Sequence, residues 1–198
     1  SGAYWDAIVA MGGPRRSPGE AYASMDEAID ILRAAFDGAR SVDHAGEIYR
    51  IHGWRPGPSP AHRIGIWLGV FGPRALGLTG RKADGWVPSL AYVPPAAARD
   101  AMVKIDAAAE SAGRNPADIR RVYNIWGGFT DAPPAPIDET SGEFSGSPAA
   151  WVAFLAHLAT SVGFDTFCAG IPSDPDLLRL IASEIIPPAR ERIEAHRR

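Results

Sequence analysis

Apolar residues recur along this chain in two alternating patterns, stripes at three- to four-residue steps and short unbroken runs. Behind Ser17-Pro18-Gly19-Glu20, the residues Tyr22, Met25, Ile29, Leu32 and Phe36 share one stripe, which predicts an amphipathic helix to about Phe36. Ser17 with Glu20 is a capping box, Pro18 suits the first helical position, and Asp37-Gly38 ends the helix. Residues 41–53 read as a small hairpin or extended excursion, and Pro56, Pro58 and Pro60 forbid a central strand after it.

The run 64–71 (IGIWLGVF) is almost wholly apolar and predicts a strand buried on both faces, as in a parallel sheet covered by helices. Gly72-Pro73-Arg74 turns directly into a helix to about Ala83, and Asp84-Gly85 breaks it before a second strand at 86–90. Pro94-Pro95 opens a long helix closed by Gly113, and Asn115-Pro116 starts one further turn. A third strand is expected at 121–129, a helix from Ser147-Pro148 to Val162, and a fourth strand at 166–171. Asp174-Pro175 caps a last helix that Pro187-Pro188 should interrupt.

Strands alternating with helices mean βα units and a parallel sheet. Four strands are visible in 198 residues, whereas a (β/α)8 barrel needs eight strands and about 250 residues. The chain is therefore read as a single domain, 1–198, that holds only part of such a barrel. Residues 131–147 (DAPPAPIDETSGEFSGS) carry no periodicity and are expected to form a mobile loop or lid. They lie at the C-terminal end of the strands, the functional face of α/β folds.

Composition narrows the classes. A net charge of −3 gives no basic footprint for nucleic acid or an anionic membrane. No apolar run is long enough for a membrane span, and no signal peptide is visible, so a cytoplasmic protein is the default expectation. The one cysteine, Cys168, excludes an internal disulfide and a cysteine-cluster metal site. It lies in an apolar run and reads as a buried small hydrophobe. Arginine far outnumbers lysine (only Lys82 and Lys104), a skew that suggests a GC-rich bacterial genome.

The sharpest chemical signal is the strand-to-helix junction Phe71-Gly72-Pro73-Arg74. A glycine there admits close approach, and the helix N-terminus suits an anion such as a phosphate. A tight turn that needs glycine for its own geometry is the structural alternative. Trp5, Trp67, Trp86 and Trp126 could stack on a planar heterocycle or wall an apolar cavity, with core packing the alternative for each. His44, His52, His62, His157 and His196 show no metal-ligand spacing, so no metal site is expected.

Gly2-Ala3-Tyr4-Trp5-Asp6-Ala7-Ile8, Met11-Gly12-Gly13-Pro14-Arg15, Gly72-Pro73-Arg74-Ala75-Leu76, Gly80-Arg81-Lys82-Ala83-Asp84-Gly85-Trp86 and Gly163-Phe164-Asp165-Thr166-Phe167 follow one another in order. As a set they resemble luciferase-like flavin-dependent monooxygenases over nearly the whole chain. The resemblance implies a TIM (β/α)8 barrel of which this chain holds about the C-terminal half, strands five to eight. It implies an oxidoreductase or monooxygenase acting on a small organic substrate with FMN or the deazaflavin coenzyme F420. Ser1, Gly2, Ala3 and Trp5 would lie by the flavin ring or ribityl chain, and Phe71, Gly72, Pro73 and Arg74 by its phosphate. Phe71 departs from the family's usual small residue at that point. Ala3 stands where the deazaflavin sugar-phosphate dehydrogenases carry an acidic glutamate, which disfavours their particular reaction. A half barrel also implies a partner, either an N-terminal half or another chain in a homo-oligomer. The alternative is a truncated, non-catalytic half-barrel serving as an interaction module.

Overall fold

A computed structural model describes residues 4–170 and 174–198, and the chain divides between Ile66 and Trp67 into two compact units. Ser1, Gly2 and Ala3, and the end of the expected fourth strand at Ile171, lie outside the described residues.

The first unit opens with α1 (Trp5–Ala10), a short helix that the apolar pattern did not single out. Helix α2 (Pro18–Phe36) begins as expected. The Ser17 hydroxyl accepts from the Glu20 N–H, and the Glu20 carboxylate accepts from the Ser17 N–H at 2.8 Å. Gly38, at φ +83°, follows its C-terminus. The expected hairpin forms from β1 (Val42–Ala45) and β2 (Arg50–Trp54), which pair antiparallel.

Glu27 of α2 fastens that hairpin. Its carboxylate accepts from the backbone N–H groups of Glu47 (2.8 Å), Ile48 (3.0 Å) and Tyr49 (2.8 Å) and meets His44 Nε2 at 3.2 Å. These bonds, the Tyr49 amide foremost, hold the Glu27 pKa down to about 2 against an ordinary 4.5. A depressed carboxylate pKa stabilises the fold above about pH 4.5, and that contribution is lost as pH falls through 2. Protection of the Glu47–Tyr49 amides, measured against their intrinsic exchange rates at each pH, should therefore fall over that window. In Glu27→Gln the same amides should exchange fast already at neutral pH, with the acid dependence gone.

The second unit is built on a four-stranded sheet. Its strands are β3 (Trp67–Leu68), β4 (Gly85–Trp86), β5 (Arg120–Ile125) and, after two further short strands, β8 (Thr166–Ala169). They lie in the order β3-β4-β5-β8 with every pair parallel, as the alternation of strands and helices requires. Helices α3 (Pro73–Lys82) and α4 (Pro95–Ser111) connect them, with one 3-10 turn at Pro116–Asp118. Helix α5 (Pro148–His157) continues as a π-helical turn, Leu158–Val162, to Gly163 at φ +106°.

Several expectations need correction. The run 64–71 is not buried on both faces. β3 has one strand neighbour among the described residues, so Trp67 and Phe71 stay exposed while Leu68 and Val70 turn inward. The core packs on the face that carries Val70, nothing among the described residues seals the face that carries Trp67 and Phe71, and an apolar run cannot announce that difference. The predicted third strand is two: the chain breaks at Trp126, and β6 (Gly127–Phe129) pairs parallel with β7 (Phe144–Gly146) outside the main sheet. The last helix breaks before its prolines. α6 (Pro175–Leu180) runs into a π-helical turn at Ile181–Ile185, and Pro187 and Pro188 sit in the first turn of α7 (Ile186–Arg197), where missing N–H groups cost nothing. Cys168 is exposed rather than buried, because Phe167 takes the core-facing position of β8.

The core lies between the sheet and its helices. Phe164 is the centre of an aromatic stack, 4.0 Å from Tyr123 and 6.1 Å from Trp86 between ring centroids, and all three are essentially sealed from solvent. The Tyr123 hydroxyl donates to the Val93 carbonyl, and burial pushes its pKa up. Helices α3 and α4 approach so closely at Gly80 that an added Cβ would lie 2.3 Å from the Ile105 carbonyl oxygen. Arg121, buried beneath α4, is satisfied on one side by Asp106.

Candidate functional site

The C-terminal ends of β3, β4, β5 and β8 share one end of the second unit, and the exposed aromatic residues Phe71, Tyr92 and Trp126 lie there. Their placement begins with a buried tryptophan. Trp86 at the end of β4 donates its indole N–H to the Val70 carbonyl at 2.7 Å, and the Val87 N–H donates to the Leu68 carbonyl at 3.0 Å. These two bonds pin the segment that leads from β3 into the Gly72 turn.

Gly72 is the N-cap of α3, with φ −73° and ψ 145°, and an added Cβ would meet nothing within 4 Å. The turn therefore does not need glycine for its own geometry, since extended backbone with open space accepts any residue. No side chain caps the helix, and Pro73 at its first position has no N–H to cap. The Ala75 N–H, in the first turn, has no acceptor within the helix, and the positive end of the helix dipole lies at the same place. Arg74 is exposed at this turn. An anion seated there would meet backbone donors, a favourable dipole and a nearby guanidinium.

Phe71 and Tyr92 flank the turn as a near-parallel pair, centroids 6.3 Å apart, 64% and 69% exposed. Tyr92 was missed in the sequence; its signal was position, in the loop that leaves a strand C-terminus. Asn124 Nδ2 reaches Ser89 Oγ at 3.4 Å, and the Leu90 N–H donates to the Asn124 carbonyl at 2.9 Å. Trp126, 57% exposed, lies over Gly170, where an added Cβ would meet its Nε1 at 1.8 Å. Trp67, 46% exposed, covers Gly85 in the same way.

The tryptophans thus part company. Trp86 is core, whereas Trp67 and Trp126 are about half exposed. Trp5 opens α1 in the first unit and is half-buried. The structure therefore brings Phe71, Gly72, Pro73 and Arg74 together, while Ser1, Gly2 and Ala3 lie outside the described residues.

The stretch 131–147, expected as one irregular mobile loop, is corrected in part: 144–146 form β7, while residues 131–143 leave from the same end of the sheet and are irregular but fastened. The Glu139 carboxylate pairs with Arg99 of α4 and with His157 of α5 (2.7 Å to Nε2), and its carbonyl accepts from the Ala96 N–H at 3.0 Å. The Arg99 bond, with help from His157, holds the Glu139 pKa below the usual carboxylate range. Gly142 fits against the Ala91 backbone, 3.1 Å from its carbonyl oxygen to an added Cβ.

Histidines 44, 52 and 157 are taken up in contacts with Glu27, Asp43 and Glu139. Among the described residues no group of three or more metal-ligating side chains forms, and no helix is long and apolar enough to cross a membrane. Asp174 caps α6, accepting from the Asp176 N–H, as its sequence position implied.

A profile described as luciferase-like monooxygenase matches residues 1–126. The F420-dependent glucose-6-phosphate dehydrogenase of Mycolicibacterium gilvum (strain PYR-GCK) is 27% identical over 121 residues, 61% of this chain and 36% of that protein. The phthiodiolone/phenolphthiodiolone dimycocerosates ketoreductase of Mycobacterium kansasii is 44% identical over 54 residues, 27% of this chain and 14% of the relative. Among solved structures, an F420-dependent secondary alcohol dehydrogenase in complex with an F420-acetone adduct superposes with a TM-score of 0.76. It is 15% identical, over 92% of this chain and 66% of its own. An EDTA monooxygenase from Chelativorans sp. BNC1 gives a TM-score of 0.74 at 13% identity, over 97% of this chain and 64% of its own. The chain thus spans about a third of the first of these sequence relatives and just under two thirds of these structures.

Proposed function

This chain belongs to the luciferase-like monooxygenase family, with an α/β fold that is part of a (β/α)8 barrel, and on that premise we propose that it binds a flavin-type cofactor and serves an oxidoreductase reaction on a small organic substrate. The observation that carries the proposal is the Gly72 turn, a glycine with no geometric need to be one, at the uncapped N-terminus of α3. FMN and F420 both carry a phosphate beyond the ribityl chain, so the residues fit either. When bound, such a cofactor supplies the hydride transfer or oxygen activation itself.

The chain's own residues do the rest. The Ala75 N–H and the helix dipole hold the phosphate, with Arg74 adding charge at the rim. Phe71, Tyr92 and Trp126 offer apolar faces against which a planar ring or an apolar substrate excludes water. Glu139 keeps the 131–143 segment tied to α4 and α5 beside that end of the sheet. Ser1, Gly2, Ala3 and Trp5 stand as candidates for the ring end of a cofactor on the family resemblance alone. Ala3 in place of an acidic residue argues for a reaction other than sugar-phosphate oxidation.

Titration separates the cofactor reading from the alternative of an inert interaction module. Purified chain should quench the fluorescence of FMN or F420 on binding. Saturable binding of at least one supports the reading; binding of neither contradicts it.

A further inference from the structure

We propose that residues 138–146 form a fixed strap that holds the segments bearing Tyr92 and Trp126 in place, with Glu139 as the positioning residue on which the strap depends. The inference deepens the cofactor reading and rests on it for what the site binds, while the strap itself stands on contacts inside the second unit. Glu139 ties the strap to two helices at once. Its carboxylate bridges Arg99 of α4 and His157 of α5, and its backbone carbonyl accepts from the Ala96 N–H. Helix α4 has no side-chain cap, so that carbonyl satisfies a first-turn donor that has no acceptor inside the helix. The Arg99 bond is two-pronged, Nη1 to Oε1 at 3.0 Å with Nη2 on the other oxygen, which fixes direction as well as distance.

From Glu139 the strap reaches both aromatic groups through closed turns and tight packing. Asp138 accepts from the Thr140 N–H at 2.9 Å and from the Thr140 hydroxyl at 2.7 Å. Ser141 Oγ accepts from the Glu143 N–H at 3.0 Å and donates to the Glu143 carbonyl at 2.8 Å. Side chains that bond the backbone two residues on define a turn and leave it little freedom. Gly142 then meets Ala91, the residue before Tyr92, so closely that an added Cβ would lie 3.1 Å from the Ala91 carbonyl oxygen. The Tyr92 and Val93 N–H groups both donate to the Ser89 carbonyl at 3.0 Å, which closes the loop that Gly142 backs. On the other side β7 pairs with β6, which follows directly on Trp126. A Cβ at Gly127 would lie 2.1 Å from the Phe144 carbonyl oxygen. Phe144 in turn is stacked on Phe154 of α5 at 4.0 Å and edge-on to Trp151 at 4.7 Å, and the Trp151 indole N–H donates to the Gly128 carbonyl at 3.1 Å. One segment therefore abuts the neighbours of both aromatic groups. Close-packed contacts transmit displacement, so a shift at Glu139 is passed to Tyr92 and to Trp126. Binding groups keep their geometry only where a supporting layer of this kind holds them.

Two substitutions in the full chain test the strap. Glu139→Gln keeps the shape of the side chain and removes its charge, and Gly142→Ala presses a methyl group on Ala91 with Glu139 left in place. Labelling with 5-fluorotryptophan reports on Trp126, its fluorine resonance assigned with Trp126→Phe. In Glu139→Gln that resonance should shift while those of Trp5, Trp54 and Trp67 stay. Protection of the Tyr92, Val93 and Thr130 amides should fall by about tenfold, the scale of one lost hydrogen bond between charged groups. In Gly142→Ala the Tyr92 and Val93 protection should change as well, which carries the test should Glu139→Gln fail to fold. An unmoved Trp126 resonance with unchanged Tyr92 protection overturns the proposal. So does a shift of all six tryptophan resonances together, the mark of general loosening. Titration of the same samples with FMN and F420 tests the link to the site. Glu139→Gln should weaken severalfold whatever binding wild type shows, and an unchanged affinity beside a shifted Trp126 overturns the positioning role of Glu139. Wild type that binds neither cofactor removes the cofactor reading, and the strap is then decided by resonance and protection alone.

Discussion

Gly72→Val should weaken cofactor binding by at least about tenfold, about 1.4 kcal/mol, while leaving the second unit folded. The two halves of that expectation have separate causes. Folding tolerates the change because Gly72 has φ −73° and open space where its Cβ would be, and loss of glycine also lowers the entropy of the unfolded chain. Thermal unfolding should move by no more than a surface substitution does, within about 0.5 kcal/mol. Binding does not tolerate it, because the isopropyl group occupies the space through which a phosphate reaches the first-turn amides of α3. Gly72→Ala should fall between the two. Equal affinities for wild type and Gly72→Val, at equal stability, would move the phosphate site away from this turn.

Phe164→Ala should have the largest effect on stability. Its ring is stacked on Tyr123 at 4.0 Å and on Trp86 at 6.1 Å, and it is almost wholly buried. Truncating such a ring costs about 3–5 kcal/mol, the transfer of the lost atoms plus the cavity left behind. The consequence reaches the site. Trp86 holds the Val70 carbonyl, so a Trp86 ring freed from Phe164 loosens the segment entering the Gly72 turn. Chemical denaturation should show the loss in midpoint. Cofactor affinity should fall in the part of the population that stays folded, whereas a purely local cavity would leave it unchanged.

Much of the fold was legible because local chemistry and packing agree in it. The Ser17 capping box, the Gly38 and Gly163 helix ends and the parallel order of the four strands all follow from residues read in sequence. The run 64–71 misled because an apolar stretch reports affinity for a core and says nothing about how many faces of the strand are covered. Trp126 and the β6–β7 pair were hidden in a stretch of continuous β propensity, since the break there is set by Trp126 leaving the sheet to lie over Gly170. The 80–86 stretch of the family resemblance is mainly packing. Gly80 admits α4, Ala83 and Trp86 are sealed in the core, and Gly85 lies under Trp67. Such residues identify the fold and carry little of the chemistry. The site was half legible, at Gly72 and the helix it caps. Tyr92, Ser89 and Asn124 lay in loops and strands with no motif to mark them, and only the register of the sheet brings them to one end.

The most direct test of the cofactor site is a crystal structure of the chain grown with FMN and with F420. The account predicts the cofactor phosphate within hydrogen-bond distance of the Ala75 N–H at the start of α3, beside Gly72 and Arg74. A phosphate seated at any other place, with the Gly72 turn empty, would contradict it.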